Sequence, residues 1–192
     1  PKQYTKSEFL MLGNLMPSVQ KRVLEQMKDR PKLIVLDTMN FWMDNFMPDL
    51  KEALKNTDVL TINDDEARQL SGEYSLLIAA KKILTMGPKY LIIKKGEHGA
   101  ILFGENKMFF SPAVMLENVI DPTGAGDSFA GGFIGYLAKT KEINFDNMKK
   151  AVVYGTVLAS FTVEKLGIES IENIEEEKVN KRLAEIRSVV SF

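Results

Sequence analysis

Three short, largely apolar runs constrain this chain more than any other feature. Leu33 to Leu36 (L-I-V-L) and Tyr90 to Ile93 (Y-L-I-I) carry no charge or amide, and Val59 to Ile62 (V-L-T-I) is interrupted only by the β-branched Thr61. A strand with one face in water alternates apolar and polar residues, whereas a continuous run is buried on both faces. Helical segments lie between the runs: Met47 to Lys55, Asp64 to Leu70 and Leu76 to Met86, the last broken at Gly87-Pro88. Strands covered on both faces and separated by helices imply an α/β fold, with a mostly parallel central sheet in three layers.

The rest of the chain extends this pattern. Glu8 to Leu12 is a further strand-like run ending at Gly13-Asn14, and Pro17 to Lys28 is spaced as a helix with Val19, Val23, Leu24 and Met27 on one side. Ala100 to Phe103 and Lys107 to Phe110 flank Gly104-Glu105-Asn106 as a hairpin. Gly126 to Ala138, Asn147 to Phe161 and Glu175 to Val190 are helical, the last charged and amphipathic. In such sheets ligands bind outside the carboxyl ends of the strands. Those ends carry Asp37, Asn63, Lys94-Lys95-Gly96 and Asp121.

Composition removes several classes of function. With 25 Lys+Arg against 26 Asp+Glu, the chain lacks the bulk positive charge of a nucleic-acid binder. No apolar run reaches the ~18 residues of a membrane span, and Pro1 to Tyr4 does not open a secretory signal. Absence of cysteine rules out disulfides, thiolate metal sites and cysteine catalysis, and fits a cytoplasmic protein. A single histidine, His98, excludes a histidine metal cage.

The chemistry concentrates in Asp121-Pro122-Thr123-Gly124-Ala125-Gly126-Asp127, directly before a helix. Two glycines in three residues let successive backbone N–H groups face one anion, and the helix dipole strengthens that field. Asp127 falls in the first helical turn, beside the anion. A carboxylate there suits one task, accepting the proton of a hydroxyl that attacks phosphorus. The plainer reading is a glycine-rich loop in which Asp127 only starts a helix. Gly131-Gly132 costs roughly 1 kcal/mol per glycine in a helix interior, which predicts close approach of a backbone or a ligand.

The run Asp121 to Gly132 closely resembles the C-terminal signature of the ribokinase-like (PfkB) carbohydrate kinases. Asn63-Asp64-Asp65-Glu66 resembles that family's Asn-x-x-Glu motif, Lys95 to Ala100 its strand-turn beside the nucleotide, and Ala159 to Gly167 its segment near adenine. The resemblance implies ATP-dependent phosphoryl transfer to a hydroxyl of a sugar or nucleoside-like acceptor. It makes Asp127 the catalytic base, with the N–H groups of Gly124, Ala125 and Gly126 as the anion hole. Asn63, Lys95, Gly96 and Gly99 line the nucleotide site, and Glu66 holds Mg2+ through water. Asp121 and Thr123 stand where cation-activated members hold K+.

The family's sugar-binding N-terminal strand, paired-glycine motif and β-lid have no counterpart here. The expectation is therefore one ribokinase-like domain over residues 1–192, incomplete at its N-terminus, with an open sheet edge prone to self-association into a homo-oligomer. A catalytically silent nucleotide-binding or interaction module is the alternative.

Three features keep two readings each. His98 is an exposed turn residue near the nucleotide, or a catalytic one. Phe41, Trp42, Met43, Phe46 and Met47 form core or interface, or wall an acceptor pocket. Of Lys94 and Lys95, at most one serves the phosphates, because adjacent strand residues face opposite sides; the other reading is plain solvation of both.

Overall fold

The computed structural model describes residues 2–191; Pro1, read above for a leader, lies outside them. Six strands form one sheet in the order β1-β2-β3-β4-β5-β6: Phe9–Leu12, Leu33–Asp37, Val59–Asn63, Tyr90–Lys94, Ala100–Gly104 and Lys107–Ser111. The pairs β1–β2, β2–β3 and β3–β4 are parallel. The fold is thus the α/β class expected, and the runs that read as doubly buried are so: every residue of β2 is buried, and only the last residue of β3 and of β4 emerges.

The chain divides into two compact units. The first comprises Pro1–Lys94 with Leu102–Met108. Its helices are α1 (Pro17–Glu25), α2 (Asn40–Asn45), α3 (Met47–Lys55), α4 (Asp64–Ser71) and α5 (Leu76–Leu84). Leu50, Leu54, Ile83 and the side chains of β2 to β4 supply its core. Two expectations need correction here. Helix α1 ends at Glu25 rather than Lys28, and Val19 is exposed while Gln20 is buried. Gln20 turns inward because its Nε2 donates to the carbonyls of Gly13 and Asp37, satisfying two strand ends. Helix α2 was not foreseen. It has no side-chain cap, and its Phe41 and Trp42 rings meet edge-on at 4.9 Å. Only Met43 of this cluster is fully buried, and Phe41 is half exposed.

The second unit comprises Lys95–Ile101 with Phe109–Phe192. It holds α6 (Ala125–Thr140), α7 (Phe145–Thr162) and α8 (Glu176–Val190). Helices α6 and α7 approach closely through glycine: a Cβ on Gly132 would lie 3.0 Å from Gly155 Cα, and one on Gly155 would lie 2.6 Å from Phe129 O. Gly132 therefore serves backbone packing, whereas Gly131 faces open space. Helix α8 buries Val179 and Ile186 against Val157 and Phe161. Arg182 stacks its guanidinium 3.6 Å from the Phe161 ring centroid and pairs with Glu164 at 2.9 and 3.2 Å.

Candidate active site

In the first unit the candidate residues cluster at the carboxyl ends of β2, β3 and β4. Asn63 ends β3 and caps α4: its Oδ1 accepts from Glu66 N at 2.8 Å, while Glu66 Oε2 accepts from Asn63 N at 2.7 Å. This reciprocal capping box joins the two residues that the sequence paired and accounts locally for their spacing. The three consecutive acids are not alike. Asp64 pairs with Arg68 at 2.7 Å, the Asp65 side chain is 86% exposed, and Glu66 is buried. Burial pushes the Glu66 carboxyl above its ordinary range, against the pull of the Asn63 N–H and the Lys94 ammonium.

Lys94, at the end of β4, lies 3.6 Å from Asp37 Oδ1, with its side chain 19% exposed. Gln20 and this ion pair escaped notice in the sequence. Both join residues distant in the chain, and only the strand register brings them together. Of the two adjacent lysines, Lys94 is thus committed inward.

In the second unit, Lys95 opens the turn Gly96–His98. Its N–H donates to Gly99 O at 2.7 Å and its carbonyl accepts from His98 N. Gly96 (φ +55°) faces open space, whereas a Cβ on Gly99 (φ +85°) would lie 2.0 Å from Ser111 O. The second glycine is therefore required by the turn itself. His98 is exposed, as the plainer reading had it.

The glycine turn begins α6 one residue earlier than expected, at Ala125, with Gly124 as a left-handed N-cap (φ +81°). Asp121 Oδ1 accepts from Thr123 N at 2.9 Å, and its hydrogen bonds to Thr123 hold its carboxyl below the usual range. Ala125 N–H is already taken by Pro122 O at 3.1 Å, which narrows the expected anion hole. Among the described residues the N–H groups of Gly124, Gly126 and Asp127 have no backbone acceptor, so they are the donors at this helix start. Asp127 stands exposed in the first turn of α6, and its carboxylate makes no hydrogen bond or ion pair among the described residues.

These donor sets fit the groups that the resemblance implies. The glycine-capped N-terminus of a sixteen-residue helix suits a phosphate. The Glu66 carboxylate, with Oε2 held by Asn63 N–H, retains Oε1 as a hard oxygen donor suited to magnesium. No helix among the described residues is long and apolar enough to cross a membrane.

Comparison with known proteins places the chain. The family model described as pfkB family carbohydrate kinase matches residues 2–174, and the chain belongs to this family. It is similar to the cytidine kinase of Thermococcus kodakarensis, 27% identical over 138 residues, covering 70% of this chain and 49% of the relative. It is also similar to the ribokinase of Staphylococcus aureus, 34% identical over 131 residues, with 65% and 41% covered. The chain thus spans less than half the length of either relative.

Among solved structures, the ribokinase of Thermotoga maritima matches with a TM-score of 0.72 at 28% identity, over 93% of this chain and 57% of that one. The ribokinase of Arabidopsis thaliana complexed with ribose and ATP matches with a TM-score of 0.73 at 25% identity, covering 92% and 55%. The three-layer, ribokinase-like fold expected from the sequence is the one found.

Proposed function

We propose that this chain is the nucleotide-binding and catalytic portion of an ATP-dependent kinase. It transfers the γ-phosphoryl group to a hydroxyl of a small sugar or nucleoside-like acceptor. The observation that carries this reading is the start of α6: unpaired N–H groups at Gly124 and Gly126, followed at once by the exposed, unpartnered carboxylate of Asp127. The ribose and ATP of the Arabidopsis structure, and the acceptors named for the ribokinase and cytidine kinase relatives, support the substrate class. In this reading residues 1–192 belong to one ribokinase-like domain of a cytoplasmic enzyme.

The residues divide the work. Asp127 accepts the proton as the acceptor hydroxyl attacks phosphorus. Gly124 and Gly126 donate to the oxygens on which charge accumulates. Gly96 leaves room for the nucleotide, and Lys95 is the candidate cation beside it. Asn63 fixes Glu66, whose Oε1 would hold hydrated magnesium. Magnesium, when bound, neutralises phosphate charge. Asp121 and Thr123 are the candidate ligands for K+.

Acceptor-dependent release of ADP tests the function, assayed with ribose, fructose 6-phosphate, cytidine and adenosine in turn; absence of any acceptor dependence would refute it. Glu66→Gln tests the metal role separately. Glutamine preserves the capping box, since its amide oxygen still accepts from Asn63 N, so the substitution removes charge alone. The magnesium concentration for half-maximal rate is expected to rise roughly tenfold. An unchanged magnesium dependence would leave Glu66 as a helix cap.

A further inference from the structure

The Asp37–Lys94 pair has no use in the function proposed so far. Strand register sets Asp37 beside Thr61 and Asn63 beside Lys94. Register neighbours share a sheet face, as do residues two apart, so Asp37, Thr61, Asn63 and Lys94 line one face. Asn63 in turn holds Glu66. At 3.6 Å the Lys94–Asp37 contact is longer than a charge-assisted hydrogen bond. Buried pairs of this kind add little stability beyond what apolar side chains would give. What Lys94 contributes is its charge.

That charge acts on both carboxylates, Asp37 and Glu66. The other acids of the segment are accounted for: Arg68 pairs with Asp64 at 2.7 Å and with the exposed Asp65 at 3.4 Å. Counted with both carboxylates ionised, Asp37, Glu66 and Lys94 together carry one net negative charge; without Lys94 they carry two.

We propose that Lys94 is a positioning residue that holds the net charge at the carboxyl ends of β2 to β4 to one, so that Glu66 meets a divalent cation through water rather than capturing it directly. The proposal rests on the metal role given to Glu66 above. Its test uses metal binding and not turnover.

The probe is Mn2+, titrated without nucleotide into the 192-residue chain and followed by electron paramagnetic resonance. K94M is expected to bind Mn2+ roughly tenfold more tightly than the parent, because a cation near the site is lost. D37N is expected to weaken binding by a similar factor. The double variant K94M/D37N, which restores the charge count, is expected to return to within about twofold of the parent. K94R is expected to match the parent.

Thermal melts accompany each titration. Should K94M fail to fold, D37N and the double variant carry the test. Equal Mn2+ affinity across parent, D37N and the double variant with K94M, or no Mn2+ binding by any of them, would overturn the proposal. A chain that shows the expected Mn2+ series yet transfers no phosphoryl group would refute the kinase reading and leave this one standing.

Discussion

Asp127→Asn is expected to lower phosphoryl-transfer turnover by ~10²–10⁴-fold, the usual range for loss of a general base. The same substitution is expected to change stability by only about 0.3–1 kcal/mol, the worth of a carboxylate near a helix N-terminus. The structure separates these two effects cleanly. Asp127 is exposed, caps nothing, and makes no hydrogen bond or ion pair among the described residues. Its fold-level role is limited to the helix dipole. Nucleotide affinity is expected to hold or tighten slightly, since a negative charge near the phosphates is removed. Single-turnover kinetics, nucleotide titration and a melt on one preparation check all three. Turnover within about threefold of the parent would reduce Asp127 to a helix-start residue. Parallel loss of nucleotide binding would make it structural.

Gly99→Ala is expected to be the most destabilising single-methyl change in the turn between β4 and β5. Two penalties coincide there. The backbone is left-handed at φ +85°, and the new Cβ would lie 2.0 Å from Ser111 O and 2.9 Å from Ala113 N. Backbone displacement of that kind, added to the strain, should cost about 3 kcal/mol or more. Gly96→Ala, three residues earlier, is the control. It has a positive φ of 55° but nothing within 4 Å of the new Cβ, so it should cost only about 1–2 kcal/mol. Denaturant midpoints of the two variants check the contrast. Equal losses would mean that the Gly99–Ser111 approach does not govern this turn.

The sheet was legible because its signal is local. Runs such as Leu33 to Leu36 need no partner to declare that both faces are covered, and the structure buries each of them. The hairpin was legible for a similar reason, though with its glycine misread. The turn is Glu105-Asn106, both left-handed, while Gly104 ends β5 because a Cβ there would lie 2.2 Å from the Tyr90 ring. The candidate phosphate-binding segment was readable because glycines, a carboxylate and a helix start fall within seven consecutive residues.

What sequence could not supply depends on residues brought together from afar. Gln20 reads as a polar position on an amphipathic helix; only Gly13 and Asp37 carbonyls waiting at two strand ends explain its burial. The inward commitment of Lys94 requires the register that puts β2, β3 and β4 side by side. The loss of Ala125 N–H from the proposed anion hole requires the Pro122 carbonyl, whose direction no spacing rule gives.

In the proposed reaction a hydroxyl receives the phosphoryl group. Phosphorus NMR of the reaction with magnesium-ATP and each acceptor observes that event directly, because a phosphate ester on carbon-bound oxygen is distinct from ADP and inorganic phosphate. A new phosphomonoester resonance is expected with at least one sugar or nucleoside, growing in step with ADP and absent in Asp127→Asn over the same interval. Bound ATP that stays intact with every acceptor, or that yields only ADP and inorganic phosphate, would contradict the proposed reaction and make the chain a nucleotide-binding module.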